Sequence, residues 1–423
     1  MYKRLGNRSA VPAATRQPLS LISSLVQTIN AYKFPIMTLV AFYFMLRSRS
    51  AQSPMEDLQA YHDYYFPDSS LNLTEVFSFV ASKPKIPRKN TKDMYTIESR
   101  LSYSFPYEYN APVENNIWQL WKYKSDDRRF PKECFTHIER WRFVNDNSNH
   151  NLISIQEVKE QVYDYFINDV PEVVEALELL PDDRLKYEFL KYLVIYINGG
   201  VYADVDTICA KPLKYWYDSN IVPGKLFLGV AVDYNDENWE LLYNRRMAFS
   251  NKIFKAKSHH PFLAKLIARL VYMTFNQYQQ ITQIDWNKSF ENLDSNGEPL
   301  VQFTGESILT DTLFEYLNGL DNPIVYRVAR TEKDVLPQEI IGPETTDRFS
   351  YKLFTMAKGP TQVDDVVIMP EVTFKGSPEI SHDLKGVEHE YDDNNQRKGY
   401  LSFYCARPLN LISWQSIEAG IVE

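Results

Sequence analysis

The segment from Asp182 to Thr207 constrains the fold more than any other stretch, because a helical pattern runs directly into an extended one. Asp182 and Asp183 stand where helix amino ends favour carboxylates. An apolar face then recurs at helical spacing, at Leu185, Phe189, Tyr192, Leu193 and Tyr196. Asn198 and two glycines end the helix, and residues 201–207 alternate as a strand does. The segment therefore predicts a helix, a tight turn and a strand.

The same alternation of helix and strand continues along the chain. Residues 116–122 read as an apolar strand, and residues 154–169 as a helix with a capping box between Ser154 and Glu157. Further helices are predicted at 171–180 and from His260 onward, and a strand at 365–370. Alternating elements of this kind favour an α/β fold.

Two carboxylates end the predicted strand. Strand alternation would place Asp204 and Asp206 on the same side as Tyr202, within roughly 7 Å of each other. Hard divalent cations bind through one or two such carboxylates when a substrate phosphate completes the shell. The pair therefore indicates a metal and nucleotide diphosphate site. An Asp-x-Asp also arises by chance in a chain of this size, so the polar end of a strand is the alternative.

The amino-terminal part differs from the rest in charge. Residues 1–55 contain no Asp or Glu but seven Lys or Arg, while the whole chain has a net charge of -9, which argues against a nucleic-acid partner. The apolar run at 34–46 predicts a signal anchor over residues 31–46, after a cytosolic tail (1–30) and before a stem (47–112) and one domain (113–423). An amphipathic or disordered leader is the alternative.

Three cysteines, Cys134, Cys209 and Cys405, are too few and too scattered for a metal framework and allow one disulfide at most.

Five blocks, in order, resemble the family 32 glycosyltransferases, and within that family the fungal α-1,6-mannosyltransferases of the Golgi. An opening strand, the helix before the glycines and the Asp-x-Asp segment match first, and two later blocks follow. The blocks are 117–122, 185–193, 199–207, 239–261 and 303–311.

The resemblance implies a GT-A-type, Rossmann-like α/β domain that transfers mannose from GDP-mannose with retention, using Mn²⁺. It implies a mannose acceptor on an N-glycan or mannan, α-1,6 linkage, and a single-pass type II Golgi membrane protein with a lumenal domain. It also implies that Asp206 binds the metal with Asp204 close to the metal and donor, and that Trp118 stacks on the base. The other residues implied for donor binding are Glu188, Lys191, Tyr192, Gly199, Gly200, Tyr202, Ser413 and Trp414. No catalytic nucleophile is implied.

The sequence departs from the family pattern around the donor. Glu188 and Lys191 stand where the family has Asp and Arg, Glu306 replaces a proline, and the late block lacks its histidine. Two alternatives therefore stay open: a non-catalytic or weakly active subunit of a mannan polymerase, and a mannosyltransferase acting on inositol phosphorylceramide.

Overall fold

The computed structural model describes residues 96–216, 223–234, 236–321, 323–327, 349–376 and 403–411. They belong to one compact unit, Pro84–Glu423. None of the helices in these ranges is both long and apolar enough to span a membrane. The predicted anchor, and the predicted donor residues Ser413 and Trp414, lie outside them.

The described ranges contain eleven α-helices, three short 3-10 helices and ten strands. The helices are α1 (Ile97–Ser104), α2 (Phe135–Val144), α3 (Ile155–Phe166), α4 (Pro171–Leu179), α5 (Asp183–Asn198), α6 (Pro261–Asn276), α7 (Tyr278–Gln283), α8 (Trp286–Glu291), α9 (Glu306–Asn318), α10 (Tyr351–Phe354) and α11 (Val372–Lys375). The strands are β1 (Asn116–Trp121), β2 (Asn149–Ser154), β3 (Gly200–Ala203), β4 (Thr207–Cys209), β5 (Leu226–Asp233), β6 (Met247–Ala256), β7 (Val325–Arg327), β8 (Thr361–Val363), β9 (Val366–Met369) and β10 (Ala406–Pro408).

Eight of the strands form one mixed sheet in the order β2-β1-β3-β6-β5-β9-β8-β7. The β2-β1-β3 part is parallel, and β6 runs antiparallel to both β3 and β5. Strands β4 and β10 form a separate antiparallel pair. The α/β class predicted from the sequence is confirmed.

Helices cover both faces of the sheet. The larger core joins one face to α3, α4, α5, α6 and α9, and a smaller core lies on the other face against α2 and α11. Strand β3 serves both, since Tyr202 belongs to the larger core while Val201 and Ala203 belong to the smaller one. Burial on both faces explains why β1 and β3 read as almost continuous apolar runs.

The sequence assigned residues 96–112 to the stem, but they pack with the domain. Leu101 of α1 and the following Phe105 are members of the larger core. The Tyr107 hydroxyl donates to Asp365 Oδ2 over 2.6 Å. The folded unit therefore begins before residue 113, because Phe105 packs against Phe166 of α3 and against His259, which lies just before α6.

Local predictions around the helices are confirmed in detail. Ser154 and Glu157 form the capping box of α3. Asp182 caps α5, and its side chain accepts from the Arg184 N–H over 2.8 Å.

All three cysteines are described and buried, and the described part of the chain contains no disulfide.

Candidate active site

The candidate site lies after helix α5, which ends at two glycines, Gly199 and Gly200. Gly199 has φ 62° and Gly200 φ 102°, a left-handed region that favours glycine. A Cβ on Gly199 would lie 1.8 Å from Glu114 Oε2, and one on Gly200 would lie 2.3 Å from the Asn116 carbonyl oxygen. The backbone of β3 can therefore start directly against β1, so that β3 begins at the end of α5 without a loop.

The Asp204–Asp206 segment is a turn, so the prediction of one strand through Thr207 is wrong. Strand β3 ends at Ala203 and β4 begins at Thr207. The Asp204 carbonyl accepts from the Thr207 N–H (3.2 Å) and from the Thr207 hydroxyl (2.6 Å). These bonds close a turn, since a threonine three residues on satisfies the carbonyl locally. The two carboxylates lie at the carboxyl end of β3, without the simple strand alternation expected.

Asp204 is held by three donors. Its Oδ1 accepts from the hydroxyls of Tyr202 (2.6 Å) and Tyr187 (3.2 Å). Lys191 Nζ lies 3.0 Å from the same oxygen and 3.2 Å from Oδ2. Only 13% of the Asp204 side chain is exposed. The lysine compensates its charge and the two hydroxyls fix its orientation.

Asp206 faces a different part of the chain. Its Oδ2 accepts from the Leu411 N–H over 3.1 Å, and its carbonyl accepts from the Leu409 N–H over 2.8 Å. The carboxyl-terminal segment is thus bonded to Asp206 just before Ser413 and Trp414, whose donor-binding roles stay predictions.

Glu188 and Lys191, three residues apart on α5, form a buried ion pair. Glu188 Oε1 lies 2.8 Å from Lys191 Nζ, with the two side chains 3% and 2% exposed. Asn251 donates to Glu188 Oε2, and also to the Tyr192 hydroxyl over 3.2 Å. Burial raises the pKa of Glu188 to about 7, with Lys191 opposing and Asp204 adding to the shift. Burial alone would lower the pKa of Lys191, but Asp204 and Glu188 raise it, so the ammonium stays charged.

A second cluster of charged side chains, formed by Lys252, Glu298 and Glu306, lies beside the cluster of Glu188, Lys191 and Asp204. The sequence did not predict that these residues meet. Lys252 Nζ lies 3.0 Å from Glu298 Oε1, and the Lys252 carbonyl accepts from the Asp204 N–H over 2.9 Å. Glu306, at the start of α9, is 2% exposed. Burial and the neighbouring Glu298 raise the pKa of Glu306 to about 8, with Lys252 opposing. A carboxyl in the first turn of a helix was the available signal, but nothing local showed that it is buried.

We expect Glu306 to make the stability of the domain depend on pH. The folded chain keeps a proton on Glu306 that the unfolded chain releases near pH 4.5, so the free energy of unfolding should fall as the pH rises from 4.5 to about 8. Glu306→Gln should make this slope shallower by up to about 1.4 kcal/mol per pH unit. Urea unfolding across this pH range measures it. The exposed Glu291 provides the control as Glu291→Gln, and equal slopes in all three proteins would contradict the expectation.

Tyr192 and Trp118 are the remaining described residues that were predicted to bind the donor. Tyr192 links α5 to the loop before α9, because its hydroxyl donates to the Thr304 carbonyl over 3.0 Å. Trp118 lies inside β1, is 9% exposed, and donates from its indole N–H to the Gly199 carbonyl over 3.1 Å. That environment is the one of a core residue, and base stacking by Trp118 stays a prediction. Trp121, which was not among the predicted site residues, is the last residue of β1, and its indole N–H has no hydrogen-bond partner within the described ranges.

The donor atoms at the turn fit a hard divalent cation. The described residues contain no group of three or more His, Cys, Asp or Glu side chains that could hold a metal. A cation bound through one or two carboxylates, with phosphate oxygens and waters completing its shell, needs no such group. Both carboxylates of the turn supply oxygen atoms of this kind, and one Asp204 oxygen already takes three donors.

Comparison with known proteins decides which family this arrangement belongs to. Residues 131–224, which include both aspartates, match the family model described as "Glycosyltransferase sugar-binding region containing DXD motif". The "Initiation-specific alpha-1,6-mannosyltransferase" of Candida albicans is 30% identical over 313 residues, 71% of this chain and 74% of that relative. The chain belongs to this glycosyltransferase family. The protein of the same name from Saccharomyces cerevisiae is 25% identical to this glycosyltransferase, over 69% of it and 78% of the relative.

Among solved structures, this glycosyltransferase is similar to the PaToxG glycosyltransferase, at 18% identity and a TM-score of 0.31. That match covers 53% of this chain and 76% of the other. The Asp-x-Asp turn described above is the DXD motif named by the family model.

Proposed function

We propose that this glycosyltransferase transfers mannose from GDP-mannose to a mannose of an N-glycan or mannan acceptor, with retention and in α-1,6 linkage. The observation that supports it best is the buried cluster of Asp204, Lys191 and Glu188 beside Asp206, in a chain whose relatives carry the name α-1,6-mannosyltransferase. The cluster is fully connected, so the departures at Glu188 and Lys191 keep a charged, hydrogen-bonded group of side chains at the DXD turn. That favours catalysis over a scaffold role.

The proposed roles follow from charge and position. Asp206 would hold Mn²⁺, which when bound neutralises the departing diphosphate. Asp204 would accept from hydroxyls of the donor, since Lys191 lies against its carboxylate and Tyr187 and Tyr202 fix its rotamer. Glu188 holds Lys191 from the other side and so fixes the position of the ammonium. The side chains of Glu188 and Lys191 are buried and that of Asp204 is only 13% exposed, and low exposure to water strengthens the electrostatic interactions of the cluster.

We further propose that the domain works in the Golgi lumen, anchored by residues 31–46, as a GT-A-type enzyme. The basic amino-terminal segment and the apolar run at 34–46 support this topology. Expression of the full chain with a carboxyl-terminal tag, followed by protease protection of intact vesicles, tests it. A tag that is digested in unbroken vesicles would contradict a lumenal domain.

The test of the activity is transfer from GDP-[¹⁴C]mannose with Mn²⁺ to a high-mannose glycan, in parallel with inositol phosphorylceramide. We expect labelled glycan, and label loss after α-1,6-specific digestion. Label on the lipid alone would favour the sphingolipid alternative. The absence of both transfer and donor hydrolysis would contradict the proposed function.

A further inference from the structure

Asn287 begins an Asn-x-Ser triplet on the short helix α8, followed by Lys288 and Ser289. Such a triplet is the acceptor sequence for N-linked glycosylation of lumenal and secreted proteins. The sequence contains two others, at Asn7 and Asn72, and both lie outside the described residues. Triplets of this kind also arise by chance, so the surroundings of Asn287 decide whether this position can carry a glycan.

Helix α8 buries one side and exposes the other. Trp286 and Phe290 are 6% and 3% exposed and belong to the larger core. Asn287 and Lys288, which lie between them in the sequence, are exposed, and 82% of the Lys288 side chain is accessible to water. A glycan is bulky and hydrated and needs a surface position of this kind. A glycan on Asn287 would therefore leave the packing of α8 on the core undisturbed.

The two polar atoms of the Asn287 side chain have different surroundings. The Oδ1 atom accepts from Arg184 over 2.7 Å. The side chain of Arg184 is fully buried, and its guanidinium lies 4.2 Å from the centre of the Phe290 ring. The Nδ2 atom of Asn287 makes no hydrogen bond to the part of the chain that the structure describes. The fold thus binds the oxygen, which glycosylation leaves in place, and leaves open the nitrogen, which glycosylation substitutes.

We propose that Asn287 carries an N-linked oligosaccharide. A bond forms from Nδ2 to C1 of the first sugar of a polyprenyl-diphosphate-linked oligosaccharide. The bond from C1 to the diphosphate breaks, and the polyprenyl diphosphate leaves together with one amide proton. The transfer takes place while the segment is unfolded, and Arg184 binds Oδ1 of the modified amide when α8 packs. The proposal rests on the lumenal topology proposed above, because this transfer occurs in the lumen of the secretory pathway.

The test is mass spectrometry of the full chain, expressed in a eukaryotic cell and treated with a peptide N-glycosidase in H₂¹⁸O, which converts each glycosylated Asn into ¹⁸O-labelled Asp. We expect label at Asn287 and none at Asn7, which lies in the predicted cytosolic tail. Label at Asn72 without label at Asn287 would overturn the proposal and leave the lumenal topology standing. Absence of label at both would contradict both proposals. Mannose transfer from GDP-mannose is assayed separately on the same protein, so a failure of the proposed activity is distinguishable.

Two variants separate the glycan from the hydrogen bond to Arg184. Ser289→Ala removes the triplet but keeps the amide that Arg184 binds, so the protein should lose the mass of one glycan. Asn287→Gln should lose the same glycan and also unfold at a lower Tm than Ser289→Ala, because the added methylene displaces the amide oxygen from the buried guanidinium. Ser289→Thr is the matched control and should keep the glycan. A Ser289→Ala protein that retains the full glycan mass would overturn the proposal.

Discussion

Asp206→Asn is expected to reduce mannose transfer from GDP-mannose by about 1,000-fold or more. Stabilisation of a leaving diphosphate by a bound cation is worth several kcal/mol, and each 1.36 kcal/mol is a factor of ten in rate. The amide keeps an oxygen that can accept from the Leu411 N–H, so the local backbone should stay in place. Initial rates with saturating acceptor, over a series of Mn²⁺ concentrations, measure the effect.

The exposed Asp164→Asn, on α3, is the control for a lost surface carboxylate and should retain full activity. Asp206→Asn with unchanged transfer would contradict the assigned role. The same variant also separates catalysis from a scaffold role in the cell, because a scaffold would support glycosylation without this carboxylate.

Lys191→Met is expected to destabilise the domain by about 3–5 kcal/mol and to abolish transfer. The substitution removes the cation between Glu188 and Asp204 and leaves two carboxylates in the interior without compensation. One of them would then have to take up a proton, so the loss of stability should be larger at pH 8 than at pH 5. Urea unfolding at the two pH values measures both effects.

Lys186→Met is the matched control on the same helix, since Lys186 is half-buried and forms no ion pair within the described residues. It should change the unfolding free energy by less than about 0.5 kcal/mol. A Lys191→Met protein as stable as Lys186→Met would show that the pair with Glu188 and Asp204 contributes nothing to the fold.

The sequence predicted the scaffold of the site well because its signals are local. The helix from Asp183 to Asn198 follows from an apolar face of period 3.6 and from its caps, and the glycine turn follows from residues that tolerate a positive φ. The capping box at Ser154 was equally readable. The order of the strands in the sheet could not be predicted. Strand β6 pairs with β5 and with β3, which is distant in the sequence, and a single sequence contains no local signal for such pairing.

The sequence did not predict which charged side chains form ion pairs with each other. Glu188 and Lys191 occupy the spacing of an exposed salt-bridge stripe, and only tertiary packing shows that they are buried against Asp204 and Asn251. Glu298 and Lys252 come from distant segments and meet in space. The DXD turn was predicted as part of a strand because Val205 continues the apolar alternation. In the structure the strand ends before it, because the Thr207 N–H and hydroxyl donate to the Asp204 carbonyl and close a turn.

Isothermal titration of the folded chain with GDP, with and without Mn²⁺, tests the central claim most directly. A nucleotide diphosphate site at the DXD turn predicts that GDP binds with Mn²⁺, that EDTA weakens the binding at least about tenfold, and that Asp206→Asn binds GDP equally weakly in both conditions. GDP affinity that is independent of Mn²⁺ and of Asp206 would contradict the account.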